Sequence, residues 1–254
     1  MSAAHRVDFD RRLHAVYARG RALPAETMAE WMRVFAGHAP RRPAVVLDLG
    51  SGTGRFTPAL AEAFGGPVHG VEPSARMRAV AEESAAHPAV AYRHGSAEDI
   101  PLPDGSCDLA LMFFVLHHVR DRPAAAAEIA RVLRPDGRLL IRSWFTDRMP
   151  DLLWHRYFPR AREIELGVFP ALSDVLDVFG AVGLRRIAFE RVRLTLTPSL
   201  AAYADRLRQR AGSTFELLTE AEITAGQAAL DAAAAAETTP TPVVEDCELL
   251  VLGR

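Results

Sequence analysis

The chain has 254 residues, of which 49% are hydrophobic and 24% are charged. That length and apolar content suit one α/β domain with insertions and argue against a second independent domain. The 30 basic and 32 acidic residues leave a formal net charge of -2, and the arginines are scattered along the sequence. We therefore expect no nucleic-acid partner, because such a partner requires a concentrated basic surface.

Neither of the two cysteines, Cys107 and Cys247, belongs to a cluster with metal-ligand spacing. This predicts no zinc site and no disulfide framework, which fits a reducing cytosol. Residues 1–9 contain charged side chains and lack the apolar core of a signal peptide, and no apolar run approaches the ~18 residues of a membrane span. We predict a cytoplasmic protein with no membrane partner, either a monomer or a homodimer.

The first predicted elements are helices within residues 9–35, followed by alternating strand-like and helix-like segments from about Arg42 to Arg142. The alternating strands are residues 44–49, 68–72, 90–94, 107–114 and 137–145. The intervening helices are residues 58–64, 74–84 and 124–133, and the turn Pro135-Asp136-Gly137 introduces the fifth strand. This order is typical of repeated β-α units in a parallel sheet.

Beyond the fifth strand, the pattern predicts a helix over residues 173–183 and two strands over residues 184–197 and 243–252. A helical segment, residues 199–236, separates these two strands, which are predicted to form an antiparallel edge. The complete order predicts an α/β fold that is Rossmann-like and doubly wound. Its mostly parallel seven-stranded sheet carries an antiparallel edge strand and helical cap insertions.

A glycine-rich loop follows the first strand in the sequence Leu47-Asp48-Leu49-Gly50-Ser51-Gly52-Thr53-Gly54. Glycine at every second position allows a sharp turn and lets a ligand approach the backbone without meeting a Cβ atom. A dinucleotide loop has a further glycine where Arg55 stands, to allow close approach of a helix beside a pyrophosphate. S-adenosylmethionine has no phosphate, so this loop suits it better than a nicotinamide cofactor, the alternative ligand.

Glu72 ends the second predicted strand, 18 positions after Gly54. A carboxylate at this position can accept hydrogen bonds from both hydroxyls of a ribose, which is the role that we predict for it. A solvated glutamate at a strand end is the alternative interpretation.

Further blocks, in the same order along residues 17–144, resemble the class I S-adenosylmethionine-dependent methyltransferases, particularly the small-molecule enzymes of type 11. They are Glu72-Pro73-Ser74, Gly95-Ser96-Ala97-Glu98-Asp99, Cys107-Asp108-Leu109, Leu116-His117-His118-Val119 and Leu133-Arg134-Pro135-Asp136-Gly137. The resemblance implies transfer of a methyl group to an O, N, C or S atom of a small molecule. It also implies one methyltransferase domain over residues 1–254, with a cap over 1–40, a cofactor-binding core over 41–147, and covering insertions over 148–172 and 198–240.

The resemblance also assigns residues to the cofactor. These are Tyr17 and Arg21 at the methionine carboxylate, Asp48, Gly50, Ser51, Gly52 and Gly54 around the first strand, Glu72 and Pro73 after the second, and Met77, Ser96, Ala97 and Glu98 around the adenine. Relatives commonly have aspartate where this chain has Ser96, and serine is the weaker acceptor of the adenine amino group. For Met77, packing in an ordinary core is the alternative role. Solvent-exposed arginines at a helix end are the alternative for the segment containing Arg21.

His117 is the candidate catalytic base, because its block follows the fourth strand at the edge where a doubly wound fold binds ligands. The alternative is that it only packs a short helix, and some acceptors need no base. Phe113 is predicted to line the cofactor or acceptor pocket, unless it belongs to the core. Acceptor recognition is assigned to residues 9–31, 145–169 and 199–222, and the aromatic residues of the middle segment favour an aromatic pocket. A protein that binds the cofactor without transferring methyl groups, and an enzyme acting on RNA or protein, remain alternatives.

Overall fold

A computed structural model describes residues 7–254, which form a seven-stranded sheet with helices on both faces. The strands are β1 (Val46–Leu49), β2 (Val68–Glu72), β3 (Val90–His94), β4 (Cys107–Phe113), β5 (Leu133–Arg142), β6 (Arg185–Thr197) and β7 (Val243–Gly253). The helices are α1 (His14–Gly20), α2 (Ala25–His38), α3 (Thr57–Phe64), α4 (Ala75–Ser84), α5 (Arg122–Val132), α6 (Pro159–Val168), α7 (Leu172–Ala181), α8 (Leu200–Arg208) and α9 (Glu220–Ala235). A π-helical turn, Phe9–Leu13, precedes α1.

The strand order across the sheet is β3-β2-β1-β4-β5-β7-β6. Strands β1 to β5 are mutually parallel, whereas β7 runs antiparallel to both β5 and β6. The predicted Rossmann-like fold with an antiparallel pair at one edge is therefore confirmed. The chain crosses to the other side of β1 after β3, and in such sheets ligands bind at the carboxyl ends of the strands beside this reversal.

Alternating side chains of the strands bury against helices on the two faces of the sheet. Leu47 and Leu49 face a core that includes side chains of α5 and α7. Val46 faces the opposite core, which includes Trp31 of α2 and Leu60 of α3. Strand β1 is thus covered on both faces, which explains its continuous apolar sequence and the rigid position of the loop that follows it.

The structure shifts two predicted boundaries near the fifth strand. Strand β5 begins before the predicted turn, because Cys107 pairs with Leu133 and then Leu109 pairs with Arg138. The residues between these pairs, including the turn, form an irregularity within the strand. Helix α5 begins before its predicted start, because the side chain of Asp121 accepts a hydrogen bond from the Ala124 amide over 3.0 Å and caps the helix.

A third apolar cluster lies apart from the two faces of the sheet and is built from the insertions. Phe158 beside α6, Tyr203 of α8, Phe215, and Ile223 and Leu230 of α9 are buried together in it. The predicted helical segment between β6 and β7 is therefore present and packs against the insertion that follows β5. Within residues 7–254, no helix is both long enough and apolar enough to cross a membrane.

Candidate functional site

The loop after β1 has a backbone that only glycine adopts easily. Gly50, Gly52 and Gly54 have φ angles of +71°, +57° and +77°, in the left-handed region that side chains with a Cβ atom disfavour. A Cβ atom on Gly50 would also lie 2.4 Å from a methyl group of Val115. Since the amide of Gly50 donates to the carbonyl of Val71 over 2.7 Å, the loop is held against the end of β2.

Glu72 lies at the end of β2 and forms a hydrogen bond with the same loop. Its carboxylate accepts hydrogen bonds from the amides of Gly52, over 3.0 Å, and Ser74, over 2.9 Å. The side chain is buried, and burial raises its pKa although both hydrogen bonds act in the opposite direction. A carboxylate has about four acceptor positions, so two remain for the hydroxyls of a ligand.

Asp48 is buried beneath the glycine loop and accepts a hydrogen bond from the Thr57 hydroxyl over 2.7 Å. Burial raises the pKa of Asp48 to about 6, against the lowering effects of Thr57 and Arg55. The hydroxyl oxygens of Ser51 and Thr53 are buried without a hydrogen-bond partner among the described residues. A loop with unpaired polar atoms and little steric bulk fits a polar ligand such as S-adenosylmethionine.

The N-terminal segment lies across this loop. Asp10 accepts hydrogen bonds from the hydroxyl of Ser74 and from the amide of Arg76. The ring of Tyr17 lies 3.8 Å from the place that a Cβ atom on Gly52 would occupy. The N-terminal segment therefore lies next to Gly52 and against the start of α4.

The residues predicted for the adenine lie beside β2 and β3. The Ser96 hydroxyl accepts a hydrogen bond from the Glu98 amide over 3.2 Å, so it already orders its own turn. The Glu98 carboxylate accepts from the Arg120 amide over 2.9 Å and joins this turn to the segment after β4. Ala97 and Met77 are buried. Pro73, next to Glu72, is exposed.

A cavity of about 150 Å³ opens at the carboxyl ends of β4 and β5. Of the predicted site residues, the ones that line it are Tyr17, Arg21, Phe113 and His117. Each of the three predicted acceptor segments contributes to its wall, through Phe9, Tyr17, Arg21, Trp31, Leu152, Trp154, Glu165, Phe169, Tyr203, Arg206, Leu207, Ala211, Gly212, Ser213, Thr214 and Phe215 among others. The structure thus brings together the cap and both insertions around one space next to the glycine loop.

His117 follows β4 in a short 3₁₀ turn and lines the cavity. Its ring centroid lies 4.2 Å from that of Phe169, and its Nδ1 atom is buried without a hydrogen-bond partner among the described residues. Burial, His118 and the cations Arg21 and Arg122 lower the pKa of His117 well below its usual value. The imidazole is therefore neutral at pH 7 and can accept a hydrogen bond from a ligand.

Of the four arginines that line the cavity, sequence reasoning assigned an individual role to Arg21 alone. Arg142 ends β5 and Arg206 belongs to α8, whereas Arg55 was noted only as a replacement for glycine. Burial lowers the pKa of Arg55 to about 9 and that of Arg206 to about 10, so both remain cationic at pH 7. The one signal for Arg142 in the sequence is a charged residue that directly follows Leu139-Leu140-Ile141 in a buried strand.

Comparison with known proteins identifies a methyltransferase domain over residues 47–141. An uncharacterized methyltransferase of Mycobacterium tuberculosis is 42% identical over 123 residues, which cover 48% of this chain and 46% of that protein. The ubiquinone/menaquinone biosynthesis C-methyltransferase UbiE of Rubrivivax gelatinosus is 38% identical over 63% of this chain and 64% of its own length. The chain thus spans about half the length of the first relative and less than two thirds of the second.

A solved structure from Anabaena variabilis, assigned to the methyltransferases of an antibiotic biosynthesis pathway, has the same fold. It superposes with a TM-score of 0.72 at 22% identity, covering 89% of this chain and 97% of that one. The domain match begins in β1 and ends in β5, and so includes the glycine loop, Glu72 and His117. Residues 47–141 therefore belong to a family of methyltransferase domains, and the structure around them has the fold of a solved methyltransferase structure.

Proposed function

We propose that the protein transfers the methyl group of S-adenosylmethionine to a small molecule bound in the cavity. The observation that carries this proposal is the position of the cavity, which opens at the carboxyl edge of the sheet, on the side where the glycine loop and Glu72 lie. The named activity of the quinone-biosynthesis relative also favours a small acceptor. The proposal treats the described chain as one functional unit, because the cap and the insertions complete the wall of the cavity.

Each part of the cofactor has residues suited to it. Glu72 would accept hydrogen bonds from the ribose hydroxyls, with its carboxylate already oriented by two backbone amides. Met77, Ser96, Ala97 and Glu98, with Pro73, would surround the adenine. The backbone of the glycine loop, which is held by hydrogen bonds to Val71 and Glu72, would contact the methionine portion, with Asp48 at the end of the preceding strand.

Tyr17 and Arg21 would hold the methionine carboxylate, because both line the cavity next to the loop. Arg21 also positions a second cation, since its carbonyl accepts a hydrogen bond from Arg55 over 2.8 Å. When bound, the cofactor would supply a methyl group carried on a positively charged sulfur. The acceptor would form a bond to the methyl carbon, and the sulfur would keep the electron pair of the broken sulfur–carbon bond.

The side chains around the cavity would align the acceptor and exclude water, which supplies much of the catalysis in an in-line transfer. Phe113 contributes an apolar surface between the loop and the cavity, with its ring centroid 4.3 Å from that of Phe56. For an acceptor that carries a hydroxyl or ammonium proton, neutral His117 is the group that can receive a hydrogen bond from it. Its lowered pKa makes His117 a weak base, which suits orientation of the acceptor better than full removal of a proton.

The test is calorimetry with S-adenosylmethionine and S-adenosylhomocysteine, with NADH as the control ligand, followed by an acceptor screen that measures S-adenosylhomocysteine formation. Binding of both sulfur ligands together with acceptor-dependent product supports the proposal. Binding without product on a broad panel of small molecules, RNA and protein would instead support a cofactor-binding protein that transfers no methyl group. Failure of the folded protein to bind either sulfur ligand would overturn the cofactor assignment.

A further inference from the structure

The cavity wall combines apolar side chains with several arginines. Four arginines line it, Arg21, Arg55, Arg142 and Arg206, and two glutamates, Glu165 and Glu245. With both glutamates ionised, these six side chains carry a net charge of +2. Such an excess of positive charge away from bulk water is costly unless an anion offsets it.

The two glutamates do not balance the arginines individually. Glu245 forms an ion pair with Arg142 over 3.0 Å. Glu165 bonds to His155 over 2.8 Å and to the Thr214 hydroxyl over 3.1 Å, on the insertion side of the cavity.

Three of the cavity arginines lack an anionic partner among the described residues. Within residues 7–254, no carboxylate lies within ion-pair distance of Arg21, Arg55 or Arg206. Their charges also repel one another, since Arg21 lowers the pKa values of both Arg55 and Arg206. The methionine carboxylate of the cofactor can neutralise one of them, but the cofactor also brings a sulfonium and an ammonium group. A requirement for a further anion therefore remains after the cofactor binds.

Arg142 offers unpaired donors to an oxygen of that anion. Its guanidinium carbon lies 4.0 Å from the ring centroid of Phe114 and 3.9 Å from that of Trp144. The residue is only 1% exposed, and its Nε and Nη1 atoms are buried without a hydrogen-bond partner among the described residues. Buried donors without an acceptor are destabilising, and a ligand oxygen would satisfy them.

Aromatic rings complete the wall around these cations. Trp154, Phe169 and Phe215 line the cavity, together with Phe114 and Trp144. Flat apolar surfaces of this kind bind planar apolar ligands, and rings next to guanidinium groups also stabilise the cations. We propose that the methyl acceptor is an aromatic acid, with its anionic oxygens held by Arg142 and Arg206 and its ring packed against these side chains.

This inference rests on the proposed function, because it names the acceptor class of the same site. Two kinds of group offer the required anionic oxygens, a carboxylate and a phosphate. A binding experiment distinguishes them with hydroxylated benzoates and cinnamates, their neutral carboxamides, and the matching aryl phosphates. Each compound is titrated into the protein saturated with S-adenosylhomocysteine, so that loss of cofactor binding is detected separately from loss of acceptor binding.

The expected result is that at least one class of acid binds about 10- to 100-fold more tightly than the matching carboxamide, as charge-assisted hydrogen bonds to arginine require. Arg206→Gln should reduce this preference by about tenfold or more while leaving binding of S-adenosylhomocysteine unchanged. The matched control is Arg208→Gln on the same helix, where the arginine pairs with Asp205 and Asp231 at the surface.

The carboxylates and the phosphates are each compared with the neutral carboxamides. The class of acid that binds more tightly relative to them identifies the anionic group that the site recognises. Equal binding of acids and carboxamides, including no binding of either, overturns the proposal while the cofactor assignment stands. An Arg206→Gln protein that folds, judged by its melting temperature, and keeps the full preference for acids also overturns it.

Discussion

The amide of Gly52 donates a hydrogen bond over 3.0 Å to the carboxylate of Glu72, which joins the loop after β1 to the end of β2. Glu72 accepts a second bond from Ser74, so one carboxylate orders the loop, begins α4 and keeps acceptor positions for a ligand. Folding of the loop and the ribose contact that we propose therefore depend on the same side chain.

Replacement of Glu72 with glutamine should impair both roles. The amide keeps one acceptor oxygen but turns its NH₂ group towards a backbone N–H donor, which costs about 1–3 kcal/mol of folding stability. We expect affinity for S-adenosylhomocysteine to fall by at least about tenfold, since charge-assisted bonds are lost. Calorimetry and urea unfolding measure the two effects, with Glu62→Gln on the exposed face of α3 as the control. Unchanged affinity in Glu72→Gln would refute the ribose assignment.

Gly52 and Gly105 have nearly the same φ angle, so alanine variants of the two can distinguish backbone strain from steric exclusion of a ligand. Gly52 has φ of +57° beside Tyr17, whereas Gly105 has φ of +56° and open space within 4 Å of the position that a Cβ atom would occupy. Alanine at either position should cost about 1–2 kcal/mol of folding stability, because the left-handed conformation is unfavourable for it.

Only Gly52→Ala should weaken binding of S-adenosylhomocysteine, because only its methyl group enters the space predicted for the cofactor. Titration of both variants by calorimetry, after urea unfolding has established their stabilities, checks this. Equal affinities of the two variants would show that the loop does not approach the ligand closely.

Asp48 should make the protein less stable as the pH rises. Burial raises its pKa to about 6 in the folded state, above the ordinary value of 3.8, so the folded protein binds the proton more tightly than the unfolded chain. The free energy of unfolding therefore decreases from about pH 4 to about pH 6, and the full penalty of about 3 kcal/mol is present above that range.

Asp48→Asn keeps an oxygen for the Thr57 hydroxyl and removes the titration. The melting temperature of this variant relative to the natural protein should increase between about pH 4 and about pH 7. Asp177→Asn on the exposed side of α7 is the matched control for the same chemical change. A constant difference across this range would mean that Asp48 titrates normally.

His117 should remain neutral throughout the range in which an ordinary histidine titrates. Burial and its cationic neighbours lower its pKa, so its ring should show no protonation in NMR side-chain spectra between about pH 8 and about pH 6. His117 binds a proton more tightly in the unfolded chain than in the folded protein. Its contribution therefore lowers the free energy of unfolding as the pH falls below the pKa of His117 in the unfolded chain. The histidine of a short model peptide in the same buffer provides the reference titration. Protonation of His117 near pH 6.5 would restore it as a candidate base.

The variant His117→Gln distinguishes two roles of His117, orientation of the acceptor and removal of the acceptor's proton. The variant keeps a hydrogen-bonding side chain, so an acceptor that needs only orientation should retain a substantial turnover number and show mainly a higher KM. A large fall in kcat at unchanged KM, together with a pH-rate inflection that disappears in the variant, would instead assign the proton transfer to His117.

The order of strands and helices, the glycine loop and the position of Glu72 were determined by the sequence alone. Local properties set them: the apolar run of a buried strand, the helical period and the left-handed backbone that Gly50, Gly52 and Gly54 allow. The irregular start of β5 was not predicted, because its pairing with β4 depends on register between strands and not on the local turn sequence.

The tertiary structure alone decided the composition of the cavity. Arg142, Arg206 and Glu245 are separated by long stretches of sequence, and each taken alone resembles an ordinary surface charge. They meet because β7 inserts between β5 and β6 and carries Glu245 towards Arg142, while α8 folds back over the carboxyl ends of the strands. Burial then turns three ordinary side chains into the charged wall of a pocket, because electrostatic interactions strengthen where water is excluded.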